Sequence, residues 1–148
     1  MTTIVVDASV AVKWIFPDRP QESNAPQALQ VLQHLREGRC SIVQPPHWLA
    51  EVAAVASRLD PKIARQAIAL LYALEFPVAD GVEVYERACD LATTLGQHVF
   101  DTLYHAVALT EPDAVLVTAD EHYYRKGESL GQIVRLRDFQ LTRDTEHE

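Results

Sequence analysis

Residues 2–14 read TTIVVDASVAVKW. Ile4-Val5-Val6 is a β-branched run without polar alternation, the pattern of a parallel strand buried on both faces. It stops at Asp7. Ala8 to Ile15 then reads as a short helix, ended by Pro17 and Pro20, which lack the N–H that a helix interior needs. The same pattern returns near the other end of the chain. Ala114 to Thr118 (AVLVT) is a second strong buried strand, followed by Asp120 and a short helix or turn through Lys126.

The sequence between these two units alternates in kind. DRPQESNAPQ is loop. Ala28 to Glu37 is amphipathic, with Leu29, Leu32, Leu35 and Arg36 at helical spacing, and Gly38 closes it. Cys40 to Val43 is a short strand. Pro45-Pro46 opens a helix whose apolar stripe is Trp48, Val52, Val55 and Leu59. Asp60 is the expected N-cap of the next helix, with Pro61 at its first position and its end near Glu75. Phe76 to Ala79 reads as a short strand. Asp80 is expected to cap a helix running to Leu95 and stopped by Gly96. Val99 to Leu109 is helical, and Ile133-Val134 is a last strand. Strands alternating with helices predict an α/β domain with a mainly parallel sheet and more helix than strand.

A chain of 148 residues is one domain. Its 48% hydrophobic and 23% charged residues exclude a disordered chain and a disulfide miniprotein. No apolar run is long enough to span a bilayer, and no basic-then-apolar leader is visible. Cys40 and Cys89 form no spaced framework and read as reduced thiols of a cytoplasmic protein. The 13 Lys and Arg against 21 Asp and Glu leave a net charge of −8. That opposes non-specific nucleic-acid binding. Lys13, Arg19, Arg125 and Lys126 are the local basic candidates, and Lys13 reads equally as a solvated helix residue. The terminal residues DTEHE are a polar tail.

Both strong strands deliver a carboxylate at their C-terminal ends, Asp7 and Asp120, where open α/β sheets bind ligands. Glu51 and Asp101 sit inside otherwise apolar helical stretches. Glu51 lies three residues after Trp48, and Asp101 borders Tyr104 and Ala108. A charged, unpaired carboxylate beside a core costs several kcal/mol, so four are tolerable together if a hard cation joins them. Each also has a plainer reading. Asp7 and Asp120 precede helices and are placed to cap them. Asp101 lies in a first turn, where negative charge is favoured. Glu51 at the edge of its stripe faces solvent in that reading.

Four motifs carry a resemblance: VVDASVAVKW at 5–14, PPHWLAEVAAV at 45–55, VFDTLYHAVAL at 99–109 and LVTADEHYY at 116–124. In order and spacing the chain resembles the PIN-domain ribonucleases, and within them the VapC-type toxins of type II toxin–antitoxin pairs, over residues 4–140. The resemblance implies a three-layer α/β/α fold with a central mainly parallel sheet, as a PIN-like nuclease domain over residues 1–140 and a polar tail over 141–148. It implies that Asp7, Glu51, Asp101 and Asp120 bind Mg²⁺ or Mn²⁺ and that a metal-activated water cleaves RNA. Asp7, Asp101 and Asp120 are the preferred ligands, and Glu51 is a ligand or a general base. Ser9 and Thr118 match the hydroxyl residues that accompany the acids. A homodimer and a cognate antitoxin are implied as well. The helices between Asp60 and Leu95 are the expected dimer or antitoxin surface.

Other readings compete. Asp101 and His105 are four apart, which suits a shared transition metal. The remaining histidines supply no second ligand pair, so helix packing is the stronger reading of His105. Trp14, Trp48, Tyr104, Tyr123 and Tyr124 read as core or interface aromatics. Tyr123-Tyr124 beside Arg125-Lys126 is the one arrangement that would suit single-stranded RNA. A haloacid-dehalogenase-type phosphotransferase would need an Asp where Ser9 stands. A receiver domain would need its lysine at a strand end, not at Lys126. A PIN-fold nuclease of RNA processing and a non-catalytic interaction module are the remaining alternatives.

Overall fold

The computed structural model describes residues 1–20 and 23–141. The sequence-predicted tail, past Leu141, lies outside the described residues. The chain runs β1 (Thr2–Val6), α1 (Ala8–Ile15), α2 (Ala25–Arg36), β2 (Cys40–Ile42), α3 (Trp48–Leu59), α4 (Pro61–Ala73), α5 (Val82–Leu95), α6 (Val99–Thr110), β3 (Ala114–Thr118), α7 (Glu121–Gly127) and β4 (Ile133–Arg135), with 3₁₀ turns at Glu128–Leu130 and Leu136–Asp138.

The sheet has the order β2-β1-β3-β4, and every pairing is parallel. Helices pack against it in the three-layer α/β/α arrangement that the sequence predicts. The two runs picked out as buried strands form its centre. Ile4, Val5 and Val6 pair with Val115, Leu116 and Val117. Ile4, Val5, Val6 and Val117 are fully buried. Central parallel strands have helices on both faces, so every side chain needs to be apolar, and alternation disappears. Each such buried aliphatic contributes about 1.5–3 kcal/mol.

Three sequence expectations are corrected at helix ends. The helix expected from Ala28 begins at Ala25, because Asn24 in the left-handed region (φ 63°) turns the chain into it and Pro26 fits its first turn. The helix expected to reach Glu75 ends at Ala73, since Glu75 is itself left-handed (φ 54°). Asp80 does not cap α5. Gly81 occupies the N-cap, one residue later, and no side chain bonds there. Asp60 does cap α4, accepting from the N–H groups of Lys62 and Ile63.

The strand expected over Phe76–Ala79 is reduced to a single bridge between Gln44 and Val78. Gln44 bonds Pro77 and Ala79 through its backbone. Its side chain is fully buried. The amide oxygen accepts from Val6 N–H and the amide nitrogen donates to Val6 C=O, each at 2.9 Å. The side chain thus does for the last residue of β1 what a further strand residue would do. It fixes the backbone that presents Asp7.

Candidate active site

Asp7, Glu51, Asp101 and Asp120 line one cavity of about 180 Å³, together with Ala8, Ser9, Val55, Tyr104 and Tyr123. The four acids come from the end of β1, the first turn of α3, the first turn of α6 and the loop after β3. The cavity opens at the carboxyl ends of the central strands, where the crossing connections of an open parallel sheet leave room.

Asp7 stands at the N-cap position of α1, yet its side chain makes no cap bond. Both carboxylate oxygens are held instead by hydroxyls. Ser9 Oγ donates to one, and Thr118 Oγ1 donates to the other at 2.5 Å. The hydroxyl oxygens accept in turn from backbone N–H groups, Ser9 from Ala119 at 2.9 Å and Thr118 from Asp120 at 3.0 Å. Two side chains therefore relay the polarity of the β3–α7 turn onto Asp7. Burial nevertheless pushes the Asp7 carboxyl up to about 6, against the pull of the two hydroxyls and with Asp120 adding repulsion.

Asp101 is raised too, chiefly by burial and then by Asp120, while His98, His47 and His122 pull it down. Asp120 fulfils its plainer reading, since its carboxylate accepts from Tyr123 N–H at 3.0 Å and caps α7. It lines the cavity as well. Glu51 does not point freely to solvent. Tyr104 donates its hydroxyl to Glu51 Oε1 at 2.6 Å, and His47 Nε2 lies 3.7 Å from the same oxygen. Burial and Glu51 drive the Tyr104 hydroxyl upward, so it stays a donor.

Oxygen donors alone, with no Lys or Arg among the lining residues, make a donor set suited to a hard cation. Among the described residues, no three His, Cys, Asp or Glu side chains stand close enough to grip an ion directly.

His105 is settled as a packing residue. It is fully buried, its two ring nitrogens bonded to Tyr123 Oη at 2.9 Å and Gly131 C=O at 2.8 Å, so neither is available to a metal. Lys13 is buried at 6% exposure, which overturns its solvated reading. Lys126 donates to Leu95 C=O, and Arg125 pairs with Glu121 on the surface. Tyr123 follows the core reading favoured for it, being buried, and the Arg135 guanidinium lies 4.9 Å from the Tyr124 ring centre, so the alternative of an RNA shelf there is not favoured. Sequence reading missed three partners: Tyr104 and His47 on Glu51, and Gln44 on Val6. The i to i+4 spacing of His47 and Glu51 was the one signal available for any of them.

Residues 4–129 match the family model described as the PIN domain. Among curated proteins, no sequence matches this chain. Solved structures share its fold. A toxin–antitoxin complex from Klebsiella pneumoniae aligns with TM-score 0.61 at 17% identity over 93% of this chain and 99% of the other. VapC20 of Mycobacterium tuberculosis, a sarcin–ricin loop cleaving toxin, aligns with TM-score 0.62 at 16% identity, over 84% and 95%. VapBC2 of Rickettsia felis, bound to a DNA fragment from its promoter, aligns with TM-score 0.63 at 17% identity, over 90% and 96%.

Proposed function

The chain belongs to the PIN-domain family, and from that premise we propose that it is a Mg²⁺- or Mn²⁺-dependent endoribonuclease, the toxin of a type II toxin–antitoxin pair. The observation that carries the proposal is the meeting of four carboxylates, from four separate elements, on one cavity at the strand ends. Like charges gathered in a half-buried place carry a cost that a bound cation would relieve.

Asp7, Asp101 and Asp120 would hold the cation directly or through water, and Glu51 would complete the set or act as general base. When bound, the ion neutralises phosphate charge and activates water for in-line attack. The protein groups do the positioning. Ser9 and Thr118 lock the plane of the Asp7 carboxylate, as outer partners orient ligands in metal sites generally. Tyr104 holds Glu51 turned toward the cavity. Val55 and Tyr123 complete the wall of the cavity.

The likeness in fold to toxins of antitoxin-bound pairs supports the toxin reading. An antitoxin and a second copy of the chain are the proposed protein partners. Helices α4 and α5 expose Ile63, Leu70, Tyr72, Val82 and Tyr85, the apolar surface such partners would cover. No helix among the described residues is long and apolar enough to cross a membrane.

The test is cleavage of total cellular RNA by the purified, partner-free chain in Mg²⁺ or Mn²⁺, with EDTA and Asp101→Asn as controls. Metal-dependent cuts that vanish in the variant are expected. Cleavage that survives both EDTA and the substitution would sink the metal-site reading. No cleavage and no metal binding would leave an interaction module.

A further inference from the structure

We propose that Phe100, stacked on the His47 ring that stands beside Glu51, is a shelf on which one unpaired ribonucleotide base stacks next to the acid cavity. The inference rests on the nuclease reading above.

Phe100 is 62% exposed, while the residues that follow Asp101 along the helix, Thr102 to Ala108, are all buried. A phenyl ring left in water on the residue next to a cavity acid is placed for a ligand of that cavity. The shelf is rigid. The rings of Phe100 and His47 lie 5.6 Å apart with 29° between their planes, and His47 Nε2 bonds the Phe100 carbonyl oxygen at 2.7 Å. The His47 ring also lies 4.8 Å from the ring of Tyr104, which bonds Glu51. A continuous file of three rings therefore leads from solvent to the carboxylates.

Charge argues in the same direction. The chain carries −8, and no Lys or Arg lines the cavity. Phosphate attraction, which dominates most nucleic-acid binding, is weak here apart from the cation. Base stacking on an aromatic face is the sequence-tolerant substitute. Only an unpaired base has a face to offer, because a duplex keeps its bases stacked inside. Tyr123 and Tyr124, the other aromatic pair near the site, are already engaged.

The test uses the full chain carrying Asp101→Asn, so that probes stay intact. The probes are a fluorescein-labelled mixed-sequence 20-nucleotide RNA and the same RNA annealed to its complement, read by anisotropy in Mn²⁺. Adding Phe100→Ala is expected to weaken single-strand binding roughly fivefold to a hundredfold, with little change for the duplex. Phe100→Trp should restore affinity, and Phe100→Leu, apolar but without a π-face, should not. Light scattering should show an unchanged oligomeric state. Equal binding by the parent and Phe100→Ala, rescue by Leu, or a change of oligomeric state would each overturn the shelf, the last by assigning Phe100 to a contact between copies. If the Asp101→Asn parent binds no RNA and the unmutated chain cleaves none, the nuclease reading itself fails.

Discussion

Helix α6 carries two polar clusters on adjoining faces, built on opposite terms. Asp101 and Tyr104 face the acid cavity, where Asp7 and Asp101 are raised by burial and by repulsion from Asp120. His105, one residue after Tyr104, faces α7 and the Gly131 turn, and both ring nitrogens are satisfied there. In the second cluster, buried polarity is matched atom for atom and serves the fold. In the first, hydrogen bonds from Ser9, Thr118 and Tyr104 offset only part of the electrostatic cost, and Asp7 and Asp101 stay raised. The contrast separates a structural histidine from the cavity carboxylates lying a single turn away.

Substitutions should break that contrast in different directions. Asp101→Asn has the largest expected effect: metal-dependent RNA cleavage falls by roughly a hundredfold or more, while the melting temperature of the metal-free chain rises. The sign follows from the raised carboxyl, whose charge at neutral pH costs the folded state something that the amide does not. Loss of stability together with activity would mean that Asp101 is structural. His105→Leu should do the reverse. It orphans the Tyr123 hydroxyl and the Gly131 carbonyl, costing about 1–3 kcal/mol each. Urea unfolding reads that loss, while the folded fraction keeps its cleavage rate.

Tyr104→Phe sharpens the boundary between the two clusters. It removes only the hydroxyl that holds Glu51, so stability is expected to fall by about 1 kcal/mol. Mn²⁺ affinity, titrated calorimetrically, should fall by about tenfold or more. The smallest effect is on pH dependence. Burial lowers the pKa of His105, so the unfolded chain takes a proton first as pH falls. Its contribution is fully present above about 6.5 and is lost as pH drops below that. Asp7 and Asp101, with raised values, act with the opposite sign. The difference in stability between the unmutated chain and His105→Leu, followed from pH 8 to pH 5, isolates the histidine and should shrink toward acid.

The sequence made the sheet legible where burial is symmetric. Ile4-Val5-Val6 and Val115-Leu116-Val117 have one reading because a central parallel strand, covered on both faces, is built chiefly of apolar residues. Helix ends were less legible, since Asn24 and Glu75 adopt left-handed backbone that no side-chain pattern announces. The acids could be read because each interrupts an apolar run. Their supports could not. Tyr104 looks like any core aromatic until the fold brings Glu51, 53 positions earlier, within reach of its hydroxyl. Gln44 next to two prolines reads as loop until its amide meets Val6.

The strand made first is also the one that waits longest. β1 lies inside the sheet, with β2 on one side and β3 on the other. Asp7 receives its second hydroxyl from Thr118, 111 residues later. A chain emerging from the ribosome at about 5–20 residues per second therefore spends several seconds with an incomplete sheet and an unassembled acid cluster. The acid cluster can be complete only once the last third has been released. If the chain is the nuclease proposed above, that delay leaves an interval in which a protein partner can reach the nascent chain before its acids have met.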